Sequence, residues 1–597
     1  MAKTKKPLSV PELASAVASK FQNYPQAYIR HIRFPRFKNL SANARLELDF
    51  PLTALIGPNG SGKTTVLHAL YGAPKGKSTS DYWFSTACDP IEEGAGEVNR
   101  YIYGHMQQGH VVETRKARVS KKDRPDYWEP TKATVADRME FDTSQSEIKG
   151  VRSSDRWNPV EKNVLYLNFR SELSAFDKFM FFGGKQLSGA GRKQDQLRWR
   201  SAHLKRVMDS GTRSHLFFGT ERIVDNRTLS PEELDAVSEI LGRKYAAAQA
   251  VVHQLFENRE GMSVRFTQNS LVYTEAFAGS GELAVASMVT KIYACTQPTL
   301  ILLDEPEVSL HPGAQRKLTR FLLQRILEKN HQIVLSTHSP YIVEGLPENA
   351  IKAFVEGAGG KFDIENECHV AAAFNVLGAR SPDRIQVFVE DRLGEAIVKR
   401  SLLLLPVAER ALFSVVVLPG GSESYLAHRM PQFMMDPNDK SLILLDGDKL
   451  KLSPAEARAS NDFAQSEEPK LPEYIKQITG CEPVLLIDGS SGQGNAAQKT
   501  ALLRRYLDYV RAHLRFLPRK CPEEILLRLV DPNYVASSAL QAKQDFRAHF
   551  TQWDEGLTQS AMEGWAAVEL AKSIDSNSDA KAVAGTLKEA LRFLADA

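Results

Sequence analysis

The sequence predicts an α/β protein of two units, each built on a parallel sheet with helices packed against it. Three observations predict it. The apolar run Leu52–Ile56 leads into a glycine-rich loop, the run from Thr299 ends in the paired acids Asp304 and Glu305, and the run Ser441–Leu445 ends in Asp446-Gly447-Asp448. Strands buried on both faces read as unbroken apolar runs, and such sheets present ligand chemistry at their C-terminal ends. At 597 residues the chain is too long for one core.

Composition narrows the class. Charged residues make up 25% of the chain, and no stretch approaches the roughly 18–20 uncharged apolar residues of a membrane span. Met1-Ala2-Lys3-Thr4-Lys5-Lys6 lacks the apolar segment of a secretory signal. The cysteines at 88, 295, 368, 481 and 521 form no C-x-x-C pair, which argues for reduced thiols in the cytoplasm and against structural zinc. A net charge of +4 does not by itself mark a nucleic-acid binder. Two basic clusters stand out, one from Arg115 to Arg124 and one comprising Arg192, Lys193, Arg198, Arg200, Lys205 and Arg206 around Trp199. Each reads either as a solvated face or as a contact for a phosphate backbone.

The loop Gly57-Pro58-Asn59-Gly60-Ser61-Gly62-Lys63-Thr64-Thr65 fits G-x-x-x-x-G-K-[ST], and helix-compatible residues follow from Val66. Backbone N–H groups of such a loop curl around phosphates, which makes Asn59, Gly60, Ser61, Gly62, Lys63, Thr64 and Thr65 the expected ATP ligands. Lys63 reaches the β/γ oxygens and Thr64 offers its hydroxyl to Mg²⁺. Downstream, Asp304 is expected to hold the Mg²⁺ shell and Glu305 to polarise the attacking water. His338 ends the next apolar run, Gln332–Ser336, and is placed as a γ-phosphate sensor.

The segment Ile32–Leu40, the segment Leu46–Phe50 and the phosphate loop together resemble the N-terminus of RecF, SMC and related ABC-type ATPases. Asp304-Glu305-Pro306-Glu307-Val308-Ser309-Leu310-His311-Pro312 resembles their Walker B motif and D-loop. The resemblance implies paired heads, hence a homodimer or higher oligomer, with a signature motif from one head capping the phosphate held by the other. Gly279-Ser280-Gly281-Glu282 stands at the expected place, so Ser280 is the signature serine. Gln107 and Gln108 are the candidates for a Q-loop. On this reading residues 1–25 are an extension and 26–375 an ABC/SMC-like head. Residues 71–270 form a large insertion, in which Glu232 to Asn258 reads as a helix pair.

A second α/β pattern follows over 381–597. Ile385–Val389 leads to Glu390, a helix runs from Glu395, Phe413–Leu418 precedes Gly420-Gly421, and the third strand delivers Asp446 and Asp448. Acids at neighbouring strand ends suit hard cations, and a metal pair can stabilise both oxygens of a phosphodiester in cleavage. The order resembles the Toprim domain of topoisomerases, primases and the OLD (overcoming lysogenization defect) nucleases. That implies Glu390, Asp446 and Asp448 as catalytic metal ligands for Mg²⁺ or Mn²⁺. Glu395 replaces an acid that the family places one position earlier, and Lys520, Lys543 or Lys572 supplies the family's lysine. The fold class is therefore an ABC-type P-loop head with a large insertion, then a Toprim-like parallel α/β domain with a helical tail carrying Trp553 and Trp565 in its core.

Two functions follow from the resemblance. One is an ATP-regulated DNA endonuclease of OLD type, set in antiphage defence like Gabija-type or retron-associated nucleases, with a helicase, or a reverse transcriptase and its small DNA–RNA, as partner. The other is a RecF-like clamp or sensor whose Toprim domain does not cut.

Overall fold

The computed structural model describes residues 8–94, 97–121, 124–141, 148, 150–183, 192–357, 359–377, 384–417, 421–436, 439–450, 471–485, 496–551 and 559–594. The chain divides into two compact units, Met1–Leu377 and Gly378–Ala597.

The first unit is organised by a six-stranded sheet in the order Phe362–Glu365, Ile351–Glu356, Leu52–Ile56, Gln332–Ser336, Thr299–Asp304, Asn163–Asn168. All neighbours pair in parallel except Phe362–Glu365. Leu52–Ile56, Thr299–Asp304 and Gln332–Ser336 are buried along their whole length. A fully buried Leu or Ile contributes about 1.5–3 kcal/mol, which is why these runs are mostly apolar before their functional ends; the interior Thr53 donates its hydroxyl to the Phe50 carbonyl at 3.0 Å. Helices Lys63–Gly72 and Pro312–Lys329 follow the first and the acidic strand.

A second, antiparallel sheet runs Ala44–Glu47, Ile29–Arg36, Arg100–Gln107, His110–Lys121, Arg124–Thr131. Its inner face packs Phe37 against Tyr101 and Trp128, with ring centroids 5.6 Å apart in both pairs. This corrects the expected insertion. Residues 100–131 complete the sheet begun by Ile29–Arg36, and Asn163–Asn168 belongs to the central sheet, so the head absorbs much of the span 71–270. Three members of the basic cluster here, Arg115, Lys116 and Arg118, are engaged within the protein rather than presented on a solvated face. Arg115 pairs with Asp137 at 2.7 Å, Arg118 with Glu93 at 2.7 Å and Asp126 at 3.0 Å, and the buried Lys116 ammonium donates to backbone carbonyls of Gly72 and Lys77.

What remains of the insertion forms a four-stranded antiparallel sheet, Ile223–Thr228, Ala247–His253, Gly261–Gln268, Leu271–Thr274, with helix Lys193–Ser210. The expected helix pair is half right. Pro231–Leu241 is a helix opened by a Ser230/Glu233 capping box and closed by Gly242 at φ 69°, but Ala247–His253 is a strand. Its alanines favour a helix locally. Seven-residue pairing with Gly261–Thr267 overrides that preference.

The N-terminal extension is built into this unit. Helix Val10–Lys20 buries Leu13, Ala14 and Val17, and Lys20 donates to the Leu327 carbonyl of helix Pro312–Lys329.

The second unit carries a four-stranded parallel sheet, Phe413–Val417, Ile385–Val389, Ser441–Leu445, Leu514–Phe516. After it come helices Pro522–Val530, Ala539–Thr551, Gln559–Ser573 and Ser578–Leu594. Trp565 packs its ring against Phe546 and Phe550; Trp553 and Gly420 lie outside the described residues. Among the described residues no helix is long and apolar enough to cross a membrane.

Candidate phosphate and carboxylate sites

The strand Leu52–Ile56 hands its chain to a loop whose backbone turns left-handed at Gly60 (φ 77°) and Gly62 (φ 103°). A side chain at 62 would meet a Leu40 methyl at 2.9 Å, and the left-handed backbone is what calls for glycine there. The Lys63 ammonium folds back on the Gly57 and Pro58 carbonyls, 2.9 Å from each, and burial lowers its pKa to about 8. Ser61 Oγ is buried without a partner. A left-handed backbone cradle, an orphaned hydroxyl and a lysine curled into its own loop fit a bound polyphosphate.

Asp304 ends the acidic strand Thr299–Asp304, which is separated from Leu52–Ile56 in the sheet by Gln332–Ser336. Thr64 Oγ1 donates to its two oxygens at 3.0 and 3.1 Å, Tyr166 OH donates at 3.2 Å, and Ser336 Oγ also donates to it. Hydroxyl and carboxylate side by side suit Mg²⁺. Bound Mg·ATP would supply the γ-phosphoryl group and the charge to neutralise it.

Glu305 adopts φ 55°, a left-handed geometry unusual for a non-glycine residue, held by its N–H donating to Ser336 O and Oγ at 3.1 Å each. His338 Nε2 stands 3.6 Å from its carboxylate, and the His338 N–H donates to Glu307 at 2.7 Å. Asp304, Glu305 and His338 are thus gathered at one end of two adjacent strands.

Sequence reasoning missed what completes this end. Asn163–Asn168 pairs beside the acidic strand with Asn168 in register with Asp304. Two residues on, the Arg170 guanidinium grips both oxygens of Glu305, one of them at 2.8 Å. Nothing short of the folded register links residue 168 to residue 304. The Q-loop candidates are corrected: Gln107 and Gln108 cap a hairpin, bonded to Gln26 at 2.7 and 3.0 Å.

Ser280 stands exposed at the start of helix Ser280–Ala294, where Glu282 caps the Gly279 N–H at 2.9 Å. A Cβ on Gly281 would fall 2.6 Å from the Ser309 carbonyl, so the turn at Gly279–Glu282 and the segment after Glu307 lie in close contact. Just upstream, Glu275 is buried, accepting from Ser263 Oγ at 2.6 Å and Val264 N–H at 3.0 Å, and burial pushes its pKa up to about 7. A carboxyl held protonated by folding, against about 4.3 when unfolded, stabilises most fully below pH 4. That stability is lost as pH rises through about 7. Glu275→Gln is therefore expected to be more stable than the parent at pH 8, by a few kcal/mol at most, with little advantage at pH 4. Urea midpoints at the two values check this.

In the second unit, Ile385–Val389 delivers Glu390, whose Oε1 accepts from the Asp446 N–H at 2.8 Å. The Asp446-Gly447-Asp448 turn is stapled to the segment after Leu514–Phe516: Gly447 N donates to Arg519 O at 3.1 Å and Asp448 N to Lys520 O at 2.9 Å. A Cβ at 447 would lie 2.2 Å from Arg519 O, which explains the glycine between the acids. Asp446 is buried, and its pKa is pushed up to about 8 by burial first, then by Glu390 and Asp391. Helix Pro522–Val530 brings Glu523 to the same place, and helix Ala539–Thr551 brings Lys543. The charges of Glu523, Asp446 and Asp391 hold Lys543 protonated, against the opposing pull of burial.

Of the three candidate lysines only Lys543 faces the acids. Lys520 donates to Ala536 O at 2.7 Å, and Lys572 pairs with Glu569 at 2.7 Å. Glu395, expected as a metal ligand, is engaged by a lysine of its own helix. It sits in the first turn of helix Arg392–Ser401 and pairs with Lys399 at 2.6 Å, while Asp391, the helix cap, is the acid whose charge reaches Asp446. The all-oxygen donor set suits a hard cation. Among the described residues no three His, Cys, Asp or Glu side chains already enclose a metal position.

Residues 169–344 match the family described as "AAA domain, putative AbiEii toxin, Type IV TA system". The first unit holds an ATPase domain of AAA type. The AAA match begins directly after Asn168 and takes in Arg170, Ser280, Asp304, Glu305 and His338. Among curated proteins, "Protein ea59" of Escherichia phage lambda is 22% identical over 361 residues, covering 58% of this chain. The chain spans 58% of that relative's length. Among solved structures, the SMC head domain from Thermotoga maritima is 12% identical with a TM-score of 0.30, over 57% of this chain and all of that one. The Smc head with an extended coiled coil bound to the C-terminal domain of ScpA, from Pyrococcus furiosus, is 13% identical with a TM-score of 0.33, over 59% and 99%.

Proposed function

We propose that the chain is an ATP-dependent, Mg²⁺-dependent DNA endonuclease of OLD type, acting in antiphage defence, in which the AAA-type unit governs a Toprim cleavage site. The carrying observation is the meeting of Glu390, Asp391, Asp446 and Glu523 with Lys543, drawn from strand ends and helices far apart in sequence. Acids clustered at parallel strand ends have little structural use: they repel one another and raise the cost of burying Asp446. A cation would relieve that repulsion and polarise a phosphodiester, and Lys543 would offset charge on the scissile phosphate. Mn²⁺ would serve in place of Mg²⁺. Head pairing through Ser280 would make the active form a homodimer or larger, and a helicase, or a reverse transcriptase with its DNA–RNA, would be the partner.

A second reading, a RecF-like clamp or sensor that binds DNA without cutting, is favoured by one observation. Glu395 is engaged by Lys399 and cannot serve a second metal without breaking that pair. Supercoiled plasmid incubated with the protein and Mg²⁺ or Mn²⁺ decides between them. Conversion to nicked or linear forms supports the nuclease, and retention on plasmid without a break supports the clamp.

A further inference from the structure

Helix Lys193–Ser210 and the hairpin after it combine features that a solvated face does not need. Between residues 192 and 222 the chain has eight Arg or Lys against three acids, a net +5 within a chain of net +4. Trp199, 47% exposed, lies 5.2 Å from Phe217 and 5.9 Å from Phe218 between ring centroids. His203 supports Phe217 from beneath at 4.5 Å. Strands Leu216–Phe217 and Thr220–Glu221 are joined by Phe218-Gly219, both left-handed at φ 51° and 74°. Two-residue turns of this kind take Asn, Asp or Gly. Phe218 is unfavourable there and is 73% exposed, so the hairpin holds an aromatic ring out in solvent at a conformational cost.

We infer that this segment, with Trp199 and Phe218, the exposed Arg206 and Arg213, and Arg198, which pairs with Asp195 at 2.5 Å, is a stacking platform for single-stranded nucleic acid. Exposed rings bind the faces of unpaired bases while guanidiniums follow the phosphates. Duplex DNA has no free base faces to offer. A second copy of the chain is disfavoured, because a two-fold contact would set one +5 patch against another. The inference deepens the DNA-binding part of the proposed function and uses none of the second unit's carboxylates. It is therefore tested with EDTA present, when cleavage and ATP hydrolysis are both silent.

Fluorescence anisotropy of labelled oligo-dT and oligo-U on the full chain reads the binding. The expected result is tighter binding of one or both than of duplex of equal length, and the two arms separate DNA from RNA. Trp199→Ala and Phe218→Asn are each expected to weaken it about tenfold. Arg206→Gln and Arg213→Gln should each lower the slope of log affinity against log salt by about 0.7. Phe218→Asn guards against misfolding, since Asn suits the turn and should leave thermal stability equal or higher. Affinity unmoved by these variants, or duplex bound as tightly as single strands, overturns the inference. So does Phe218→Asn changing only sedimentation or only binding to phosphatidylserine vesicles, which would assign the face to a second copy or a membrane.

Discussion

Glu305→Gln is expected to stop ATP turnover, by about 10²–10⁴-fold, while ATP stays bound. The carboxylate lies between Arg170 and His338, and Lys63 and Thr64 are untouched by the change. An amide keeps the size and can still accept from Arg170, but it cannot take a proton from water. Nucleotide held after rapid filtration, with phosphate release absent, is the signature. Head pairing, read by sedimentation with ATP, should then persist. Normal turnover in this variant would mean that another group polarises the water.

The second large effect lies in the other unit. Asp446→Ala or Glu390→Ala is expected to abolish plasmid nicking, by at least about a hundredfold, since losing even an outer partner of a metal ligand costs 10–100-fold. ATP hydrolysis should be unchanged, because the phosphate loop and Asp304 belong to the other compact unit. Asp446 is also poised to report the metal directly. Its pKa near 8 in the metal-free protein means that cation binding near neutral pH expels a proton. Cleavage should accordingly weaken toward pH 6 and recover with higher Mg²⁺. Nicking that survives both substitutions would sink the cleavage assignment.

The phosphate loop and the two acidic strand ends were readable because each is local: buried strand, turn and functional residue adjoin in sequence. Gly447 between its acids was readable as a motif, although the reason for it, the backbone of Arg519 passing beside it, was not. Arg170 carries no pattern of its own and gains its place only from the register of Asn168 with Asp304. Lys543 was one of three candidate lysines, and only the packing of its helix singles it out. The Ala247–His253 strand was hidden because its local preference is helical and its state is set by a partner strand. Arg115, Lys116 and Arg118 looked like an outer surface because charge in sequence does not disclose the Asp137, Glu93 and Asp126 that meet it.

The central sheet has a consequence for the order in which the protein comes into being. Leu52–Ile56 pairs with Gln332–Ser336, and the acidic strand pairs with Asn163–Asn168. A nascent chain on the ribosome therefore carries its phosphate loop, without that partner strand, through nearly half of synthesis. Pairing across so long a loop is entropically slow. Once residue 340 has emerged the nucleotide site can close, and Glu390 and Asp446 are still to be made. Domains fold as units from the N-terminus during synthesis, so the regulator can be assembled before the carboxylates it is proposed to restrain exist.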